Sequence, residues 1–359
     1  MTEPTGSAPS LPRLRLAEMD GATRGHAIIL ARKIWDRPTS AEYLRWRYED
    51  CPTQQAELAL AGNECVATIF ALRRHYHTTD GVRECLEPFE WHANEEWRAS
   101  GTGLRVVKRL MAGARPLLAL GGTEVATRIF ARLGWTPLCV AGTYVLPLRG
   151  SFLRARGRSA VTSGLFEWIA RRYFTPHVRP DSGVILRSVR VLGPAVMEIA
   201  RRQQRFAWMR VPDAPTLGWL AAAPQVVGRY DLFEVEIDGE TVGWVSVRRH
   251  FSGVQRGDIQ ELFLSDEART RYPSVLHAVC VKLSQEGVDM IGCVTSCPDS
   301  IAALRALHFR HDNEDHVFAW IGGAPVEKGP ALFNGGHADR AFFPVPTAAE
   351  SVLIARDEV

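Results

Sequence analysis

The residues best suited to chemistry lie in one glycine-rich stretch, residues 97–111, which reads WRASGTGLRVVKRLM. Arg98, Gly101 and Gly103 stand there at the spacing R-x-x-G-x-G. Glycine lets backbone amides approach a ligand closely. A helix that begins here would add its unsatisfied first-turn N–H groups and the positive end of its dipole. The stretch is therefore suited to a pyrophosphate, although a capped surface turn before an ordinary helix gives the same pattern.

The residues after the glycines have the period of a helix. Leu104, Val107 and Leu110 recur at offsets that place them on one helical face, toward a core. Residues 119–138 then indicate a loop, a second helix and a leucine-glycine-tryptophan turn, and an apolar run follows at 138–146. We expect these elements to position the glycine loop.

Together these features resemble the GNAT superfamily of acyl-coenzyme A-dependent N-acyltransferases. Arg98, Gly101 and Gly103 match the R/Q-x-x-G-x-G/A pyrophosphate loop of that family, and residues 133–135 match its leucine-glycine-aromatic turn. The resemblance covers residues 12–147 and continues more weakly in the second half.

The resemblance implies that an acyl-CoA, in the first place acetyl-CoA, binds at the glycine loop as cosubstrate. The residues expected to contact it are Trp97, Arg98, Ala99, Ser100, Gly101, Thr102, Gly103 and Leu104. In the family, the strand before the loop carries a bulge that opens a cleft for the pantetheine arm. Pro88, inside the strand predicted at residues 85–92, is compatible with such a bulge.

An amine that attacks a thioester benefits from a general base and from a donor toward the carbonyl oxygen. Glu87 and Glu90 lie on the strand beside the expected cleft, on opposite faces unless a bulge resets the alternation. His92 is a third candidate. Tyr144 is a candidate acid, because Phe130 stands where the family often has a tyrosine. A structural role remains the alternative for each of them.

The second half of the chain repeats the first. Three pairs of segments align: residues 95–111 with 267–283, 129–135 with 303–309, and 71–76 with 246–251. Pro273 and Val275 replace Gly101 and Gly103, so an N–H donor is lost and close backbone approach is blocked. We therefore expect no phosphate binding in the second copy, which would bind the acceptor or support the fold.

These patterns predict an α/β (α+β) fold of two GNAT-like units, each a mixed, mostly antiparallel sheet flanked by helices. Strands are predicted at 12–20, 57–61, 66–76 and 85–92, and a helix at 21–35. The predicted organisation is a flexible start at 1–10, a first unit at 11–147, a linker with a helix at 148–180, a degenerate second unit at 181–325 and an extension at 326–359.

Composition limits the kinds of partner and the cellular compartment that the sequence favours. The net charge of +3 on 359 residues does not favour nucleic-acid binding, and no apolar run is long enough to span a membrane. The seven cysteines form no disulfide pattern, which favours reduced thiols and a cytoplasmic protein. Cys293 and Cys297 could bind zinc, but no second pair stands nearby, so no metal is predicted.

Three functions stay open. The first is an N-acyltransferase, in particular an N-acetyltransferase, in which a small-molecule amine attacks the acyl-CoA directly. An amino sugar is one such acceptor, since residues 43–52 are similar to an element of GNAT-like proteins encoded among bacterial surface-polysaccharide genes. The second is a degenerate relative that binds CoA or a partner without turnover, which Phe130 and the lost glycines of the second copy favour. Thr123 also departs from the family pattern, which often has an asparagine there. The third, an aminoacyl-tRNA-dependent transferase, fits the modest net charge poorly. The oligomeric state is left open.

Overall fold

The computed structural model describes residues 13–34, 40–151, 183–250, 254–327 and 329–337, together with Ser159 and five further positions between 161 and 168. The predicted flexible start at 1–10, most of the helix expected at 162–174 and the last residues of the extension lie outside the described residues. Among the helices that are described, none combines the length and apolarity needed to cross a membrane.

The first unit follows the predicted order of elements. Its strands are β1 (Leu14–Glu18), β2 (Gln54–Ala61), β3 (Glu64–Thr78), β4 (Gly81–Ala93), β5 (Leu117–Leu120) and β6 (Thr136–Pro147). Its helices are α1 (Arg24–Ile34), α2 (Ala41–Tyr48), α3 (Glu95–Arg98), α4 (Thr102–Met111) and α5 (Glu124–Arg132). The four predicted strands correspond to β1–β4 and the predicted helix to α1, whereas α2 was not predicted.

The second unit has the same order of strands and helices as the first, with a few elements added. Its strands are β7 (Val184–Val189), β8 (Trp208–Arg210), β9 (Arg229–Ile237), β10 (Glu240–His250), β11 (Arg256–Leu264), β12 (Met290–Thr295), β13 (Arg310–Trp320) and β14 (Ala331–Leu332). Its helices are α6 (Pro194–Arg202), α7 (Ala214–Ala221), α8 (Tyr272–Gln285) and α9 (Pro298–Ala306). Strands β8 and β14 have no counterpart in the first unit, whereas α7 stands in the place of α2, before the first long hairpin of its unit.

Turns at equivalent positions of the two units have matching left-handed backbone conformations. Gly62 turns the β2–β3 hairpin at φ +61°, and Asp238 does so between β9 and β10 at φ +53°. Gly134 follows α5 at φ +79°, and His308 follows α9 at φ +63°. Left-handed backbone suits glycine and is tolerated by Asp and His at a modest cost. The predicted pairing of residues 129–135 with 303–309 therefore extends to backbone conformation.

The sheet order shows how the two units are joined. The main path of the 14-stranded sheet runs β1-β2-β3-β4-β5-β13-β6-β12-β11-β10-β9-β7. Read from either end, each unit contributes corresponding strands in the same succession. At the centre, β13 lies between β5 and β6, and β6 lies between β13 and β12. Each unit thus inserts its last long strand into the other, so neither sheet is complete alone.

Helices cover both faces of the first unit. On one face α4 and α5 bury Val106, Leu110 and Phe130 against the sheet. On the opposite face α1 and α2 bury Leu30 and Trp46 in a separate cluster. This arrangement confirms the predicted mixed sheet flanked by helices, and it leaves the end of β4 between the two layers.

A pair of tryptophans joins the units on the α2 face. The indole of Trp46 on α2 stacks on Trp219 of α7, with ring centroids 4.4 Å apart and an interplanar angle of 9°. Each indole N–H donates to the other residue's backbone carbonyl, at 2.9 Å from Trp46 and 2.8 Å from Trp219. Both residues are buried, so the reciprocal bonds satisfy two carbonyl groups that water does not reach.

We expect Trp219→Phe to lower the free energy of unfolding by about 1–3 kcal/mol, because it leaves the buried carbonyl of Trp46 without its donor. Urea denaturation followed by circular dichroism measures this change. Trp168→Phe is the control, since Trp168 is 63% exposed and its replacement should have little effect. Equal stability of Trp219→Phe and the wild type would contradict the proposed importance of the pair.

We also expect a chain of residues 1–180 to fail to fold alone, because β5 and β6 would then lack β13 and β12 as neighbours. Coexpression with residues 181–359 should restore a soluble complex. Size-exclusion chromatography and thermal unfolding measure both outcomes. A monomeric 1–180 chain with a cooperative transition of its own would show that the exchange is dispensable.

Candidate functional site

The centre of the first unit contains a cleft between two diverging parallel strands. Within the described strands, β4 and β5 share the register pair Leu86–Leu117, and the Leu86 N–H donates to the Pro116 carbonyl at 2.8 Å. Beyond this pair β4 continues beside β3, while β5 runs beside β13. The separation leaves a gap between β4 and β5 that points toward the N-terminus of α4.

The bulge expected at Pro88 lies at Glu90 and Trp91 instead. Pro88 pairs in regular register with Ala71, so the proline does not interrupt the ladder. The register shifts beyond Phe89, and Glu90 has a φ of +45°. A non-glycine residue in this region is uncommon and marks a local kink. The position inferred from Pro88 was therefore wrong by two residues, although the strand is bulged.

The bulge changes which way the two glutamates point. Simple alternation predicts that Glu87 and Glu90 lie on opposite faces. The extra residue resets that phase, and both carboxylates contact groups on the side of the sheet that α2 covers. Trp91 points to the other side, where its ring lies 6.1 Å from that of Phe130.

The glycine loop forms the start of α4 as predicted. Gly101 is the N-cap residue with φ +72° and ψ +17°, and the backbone N–H of Arg105 donates to its carbonyl at 3.2 Å. Its left-handed conformation requires glycine or a strained substitute. The N–H groups of the first turn of α4 precede the intrahelical ladder and can bind an anion.

Gly103 is needed for packing as well as for access. A Cβ atom there would lie 3.1 Å from Nε1 of Trp91, whose N–H donates to the Gly103 carbonyl at 2.9 Å. Trp91 thereby fixes the first turn of α4 against the bulge of β4. The glycine spacing found in the sequence therefore has a structural cause that does not depend on a ligand.

The eight predicted contact residues lie together in this loop. Trp97 and Thr102 are buried and anchor it, and the Ser100 hydroxyl donates to the Trp97 carbonyl at 2.7 Å. The residues that reach solvent are Arg98, Ala99 and Ser100, with Gly101, Gly103 and Leu104 partly exposed. Arg98 donates from Nε to the Ala93 carbonyl at 3.2 Å, which holds its guanidinium beside the loop.

Glu87 belongs to a buried polar group at the junction of the units. Its Oε1 accepts from the Tyr76 hydroxyl at 2.7 Å and lies 3.7 Å from Nη1 of Arg210, on β8. Arg210 also pairs with Glu261 of β11. Burial acts to raise the pKa of Glu87, but the charge of Arg210 and the Tyr76 bond outweigh it, and the pKa is lowered. Glu87 is therefore an anion at neutral pH and a weak base.

Glu90 is bound by groups from α2. Its carboxylate accepts from the Tyr48 hydroxyl at 2.8 Å and from Nη2 of Arg47 at 3.3 Å. Arg47 is fully buried, with its guanidinium 4.3 Å from the centre of the Phe89 ring. The pair fixes α2, which contains the RWRY sequence, against the bulge. This geometry accounts for Glu90 structurally, and its catalytic role stays a prediction.

The remaining candidates are dispersed. His92 is half-buried beyond the bulge, and burial lowers its pKa. Tyr144 lies on β6, separated from β5 by β13, and packs in the core of the second unit with its ring 5.3 Å from that of His311. Phe130 stacks on Trp135 at 4.6 Å. The structure therefore brings Glu87 and Glu90 to one face and places Tyr144 elsewhere.

The second unit has a corresponding pair of parallel strands, β11 and β12, paired from Arg256–Met290 to Ile259–Cys293. Residues 333–337, here called the plug segment, lie where these strands separate. The Gly336 N–H donates to the Gln260 carbonyl at 2.8 Å, and the Ser296 N–H donates to the Phe333 carbonyl at 2.9 Å. This part of the predicted extension at 326–359 lies in the interior.

Sequence reasoning missed the polar residues at this junction. Arg210, Glu261 and His337 are all buried. One signal was available for Glu261, since it stands directly before the apolar run LFL of β11 and a glutamate is rarely buried without a partner. His337 carries no comparable signal, because it follows two glycines in a segment that resembles an ordinary loop. Within the described residues, no group of three or more His, Cys, Asp or Glu side chains could hold a metal ion.

Comparisons with known proteins support the fold. No protein-family model and no curated protein matches the sequence. Among solved structures, Saccharomyces cerevisiae N-myristoyltransferase with bound myristoyl-CoA has a TM-score of 0.60 at 12% identity, covering 90% of this chain and 85% of that one. A GCN5-related N-acetyltransferase from Anabaena variabilis ATCC 29413 has a TM-score of 0.59 at 11% identity, with coverages of 86% and 73%.

A conserved protein of unknown function from Enterococcus faecalis V583, described as a "probable N-acyltransferase", has a TM-score of 0.61 at 12% identity, with coverages of 87% and 73%. At such identities the likeness establishes the fold. The chain has a GNAT fold built from two units, which confirms the fold expected from residues 97–111 and their surroundings.

The buried His337 makes a testable contribution to acid sensitivity. Burial, and next the charge of Arg210, lower its pKa to about 3, whereas an unfolded histidine titrates near about 6.5. Below that value the unfolded chain binds a proton that the folded chain does not. Stability should therefore fall as the pH drops from about 6.5 toward 3, by up to about 1.4 kcal/mol per unit from this residue.

Urea unfolding between pH 7.5 and 4.5 measures this dependence, and His337→Gln should reduce its slope. The remaining slope includes His250, whose pKa burial also lowers. His311→Gln is the matched control on an exposed position of β13. Identical slopes for His337→Gln and the wild type would show that His337 is not neutral and buried.

Proposed function

We propose that this protein is an acyl-CoA-dependent N-acyltransferase, with acetyl-CoA as the favoured donor. The observation that carries the proposal is the separation of β4 from β5 beyond Leu86–Leu117, with the left-handed Gly101 at the start of α4 beside it. The two-unit GNAT fold supports the same function. No metal ion takes part in the proposed reaction.

The loop residues 97–104 would bind the pyrophosphate of the coenzyme. The first-turn N–H groups of α4 supply donors, and Arg98 supplies a positive charge within the same loop. Gly101 has no side chain that would block the approach of the pyrophosphate. The space around its Cβ position is also open, with nothing within 4 Å. The pantetheine arm would then enter the gap between the strands and bring the thioester toward the bulge at Glu90.

The reaction proposed is direct attack by an uncharged amine. The amine nitrogen forms a bond with the thioester carbonyl carbon, the C–S bond breaks, and the coenzyme thiolate takes up the proton released from nitrogen. Glu87 is the carboxylate nearer to the junction of the units, where the acceptor would bind. Because its pKa is lowered, we assign it to orienting the amine, and it would remove a proton poorly.

The acceptor proposed is a small-molecule amine, including amino sugars, in a cytoplasmic protein. The cysteines are all free thiols, and six of the seven are buried, in keeping with a reducing compartment. The proposed units are residues 11–147 and 181–325. The second serves as acceptor-binding partner and as the source of β13.

A second candidate is a protein that binds CoA without turnover. Phe130 favours it, because this residue has no proton to give where many relatives have a tyrosine, and its ring is committed to stacking on Trp135. The donor chain length is a separate question, since the yeast structure contains myristoyl-CoA. Thiol release in the presence of amines distinguishes turnover from binding.

Calorimetric titration with acetyl-CoA and with myristoyl-CoA tests the proposal. We expect the wild type to bind acetyl-CoA with micromolar affinity. Gly101→Val should weaken that binding by roughly 10- to 100-fold, as lost hydrogen bonds to a charged group would.

Gly62→Val is the matched control, because Gly62 also has a positive φ and open space around its Cβ position. It introduces the same backbone strain in the β2–β3 turn, away from the loop. Failure of the wild type to bind either acyl-CoA would overturn the proposed function. If both variants lose the same affinity for acetyl-CoA, backbone strain would explain the loss, and the contacts of the loop would not.

A further inference from the structure

The plug segment fills the gap that corresponds to the proposed coenzyme cleft of the first unit. Beyond Ile259–Cys293, backbone bonds connect it to both walls: to β11 through Gly336 and Gln260, and to the end of β12 through Phe333 and Ser296. Thr295 and Asn334 also form an antiparallel bridge. The segment supplies backbone partners for diverging strands that would otherwise be unpaired.

The plug segment also contacts the polar group around Glu87. Nη1 of Arg210 donates to the Gly336 carbonyl at 2.6 Å, and Arg210 connects onward to Glu87 and Glu261. The ring of His337 lies 6.0 Å from that of Tyr76, which donates to Glu87. The segment therefore brings side chains of the second unit next to the carboxylate that faces the acceptor side of β4.

Three buried polar atoms around the plug segment have no hydrogen-bond partner among the described residues. They are Oδ1 of Asn334, Nε2 of His337 and Oε1 of Gln260. The residues are 7%, 2% and 5% exposed. Buried polar groups are nearly always satisfied by protein, water or ligand. Three such atoms on two adjoining segments are groups to which a polar ligand could form hydrogen bonds.

The ring of His337 is held by the backbone of Asn334 through Nδ1, which leaves Nε2 available to a ligand. Nδ1 lies 3.0 Å from the backbone N–H of Asn334, which is always a donor. The Asn334 carbonyl receives the backbone N–H of His337 at 3.1 Å. Nδ1 also lies 2.9 Å from the Asn334 carbonyl oxygen, so it bonds to the Asn334 backbone in either neutral tautomer. The site then offers Nε2 of His337, which is a donor or an acceptor according to the tautomer, and two acceptors from the amides of Asn334 and Gln260.

Resting on the function proposed above, we infer that Asn334, Gln260 and His337 form the acceptor subsite, and that the acceptor is an amine with a hydroxyl group on a neighbouring carbon. One amide oxygen accepts from an amine N–H group and the other from the hydroxyl group, which leaves the second amine N–H group for Glu87. Nε2 of His337 bonds to the same hydroxyl group, which can donate or accept. Arg210 already bonds Glu261 and the Gly336 carbonyl, so it does not provide a partner for a ligand carboxylate.

The test compares D-glucosamine with cyclohexylamine, a ring amine that lacks the hydroxyl groups, at saturating acetyl-CoA. Because the two amines differ in basicity, kcat/KM is expressed per concentration of the uncharged amine. We expect the wild type to acetylate glucosamine with the higher kcat/KM. Asn334→Ala, Gln260→Ala and His337→Ala should each raise the KM for glucosamine by about 10- to 100-fold, since each removes one hydrogen bond from a buried site. The affinity for acetyl-CoA, measured by calorimetry, should not change.

Controls separate this subsite from structural damage. His337→Gln keeps an N–H donor and should retain more of the glucosamine preference than His337→Ala. His311→Ala removes an exposed histidine and should change neither substrate. Circular dichroism and acetyl-CoA binding verify that each variant is folded.

The outcomes distinguish the two proposals. If the wild type does not bind acyl-CoA, the proposed function fails and the subsite fails with it. The acceptor subsite is overturned, while coenzyme binding stands, if acetyl-CoA binds but glucosamine is not acetylated. The same holds if the KM for glucosamine in all three alanine variants equals that of the wild type. Equal kcat/KM for the two amines would also overturn it.

Discussion

The exchange of strands β6 and β13 is the constraint on which the rest of the structure depends. Each of these strands is the last long strand of its own unit and completes the sheet of the other. Because β13 lies against β5, the second unit forms one side of the first unit's sheet directly beyond the cleft. The geometry of the proposed coenzyme site is therefore a property of the whole chain.

This constraint gives the second unit a role that does not require chemistry of its own. It lost the loop glycines, and Pro273 and Val275 stand in their place, yet it still supplies β13, the tryptophan partner of Trp46 and the arginine that faces Glu87. The plug segment lies where a second coenzyme arm would otherwise enter. A second unit without the loop glycines that keeps the scaffold is thus consistent with the supporting role proposed for it.

Sequence patterns predicted those features that are local. The R-x-x-G-x-G spacing, the period of α4 and the leucine-glycine-tryptophan turn after α5 each depend on residues within a few positions, and the structure contains all three. The strand exchange could not be found this way, because pairing between β5 and β13 leaves no short-range period. The bulge was misplaced because Pro88 fits regular register, while the kink falls on Glu90, whose residue type gives no warning.

The position of β13 in the sheet also fixes an order of events during synthesis. Residues 117–120 leave the ribosome long before residues 317–320, with which they pair. Until then the inner edge of β5 has no neighbour from the second unit, and an unpaired strand edge is prone to associate with other chains. The proposed coenzyme would therefore stabilise the protein only after nearly all of it has been translated.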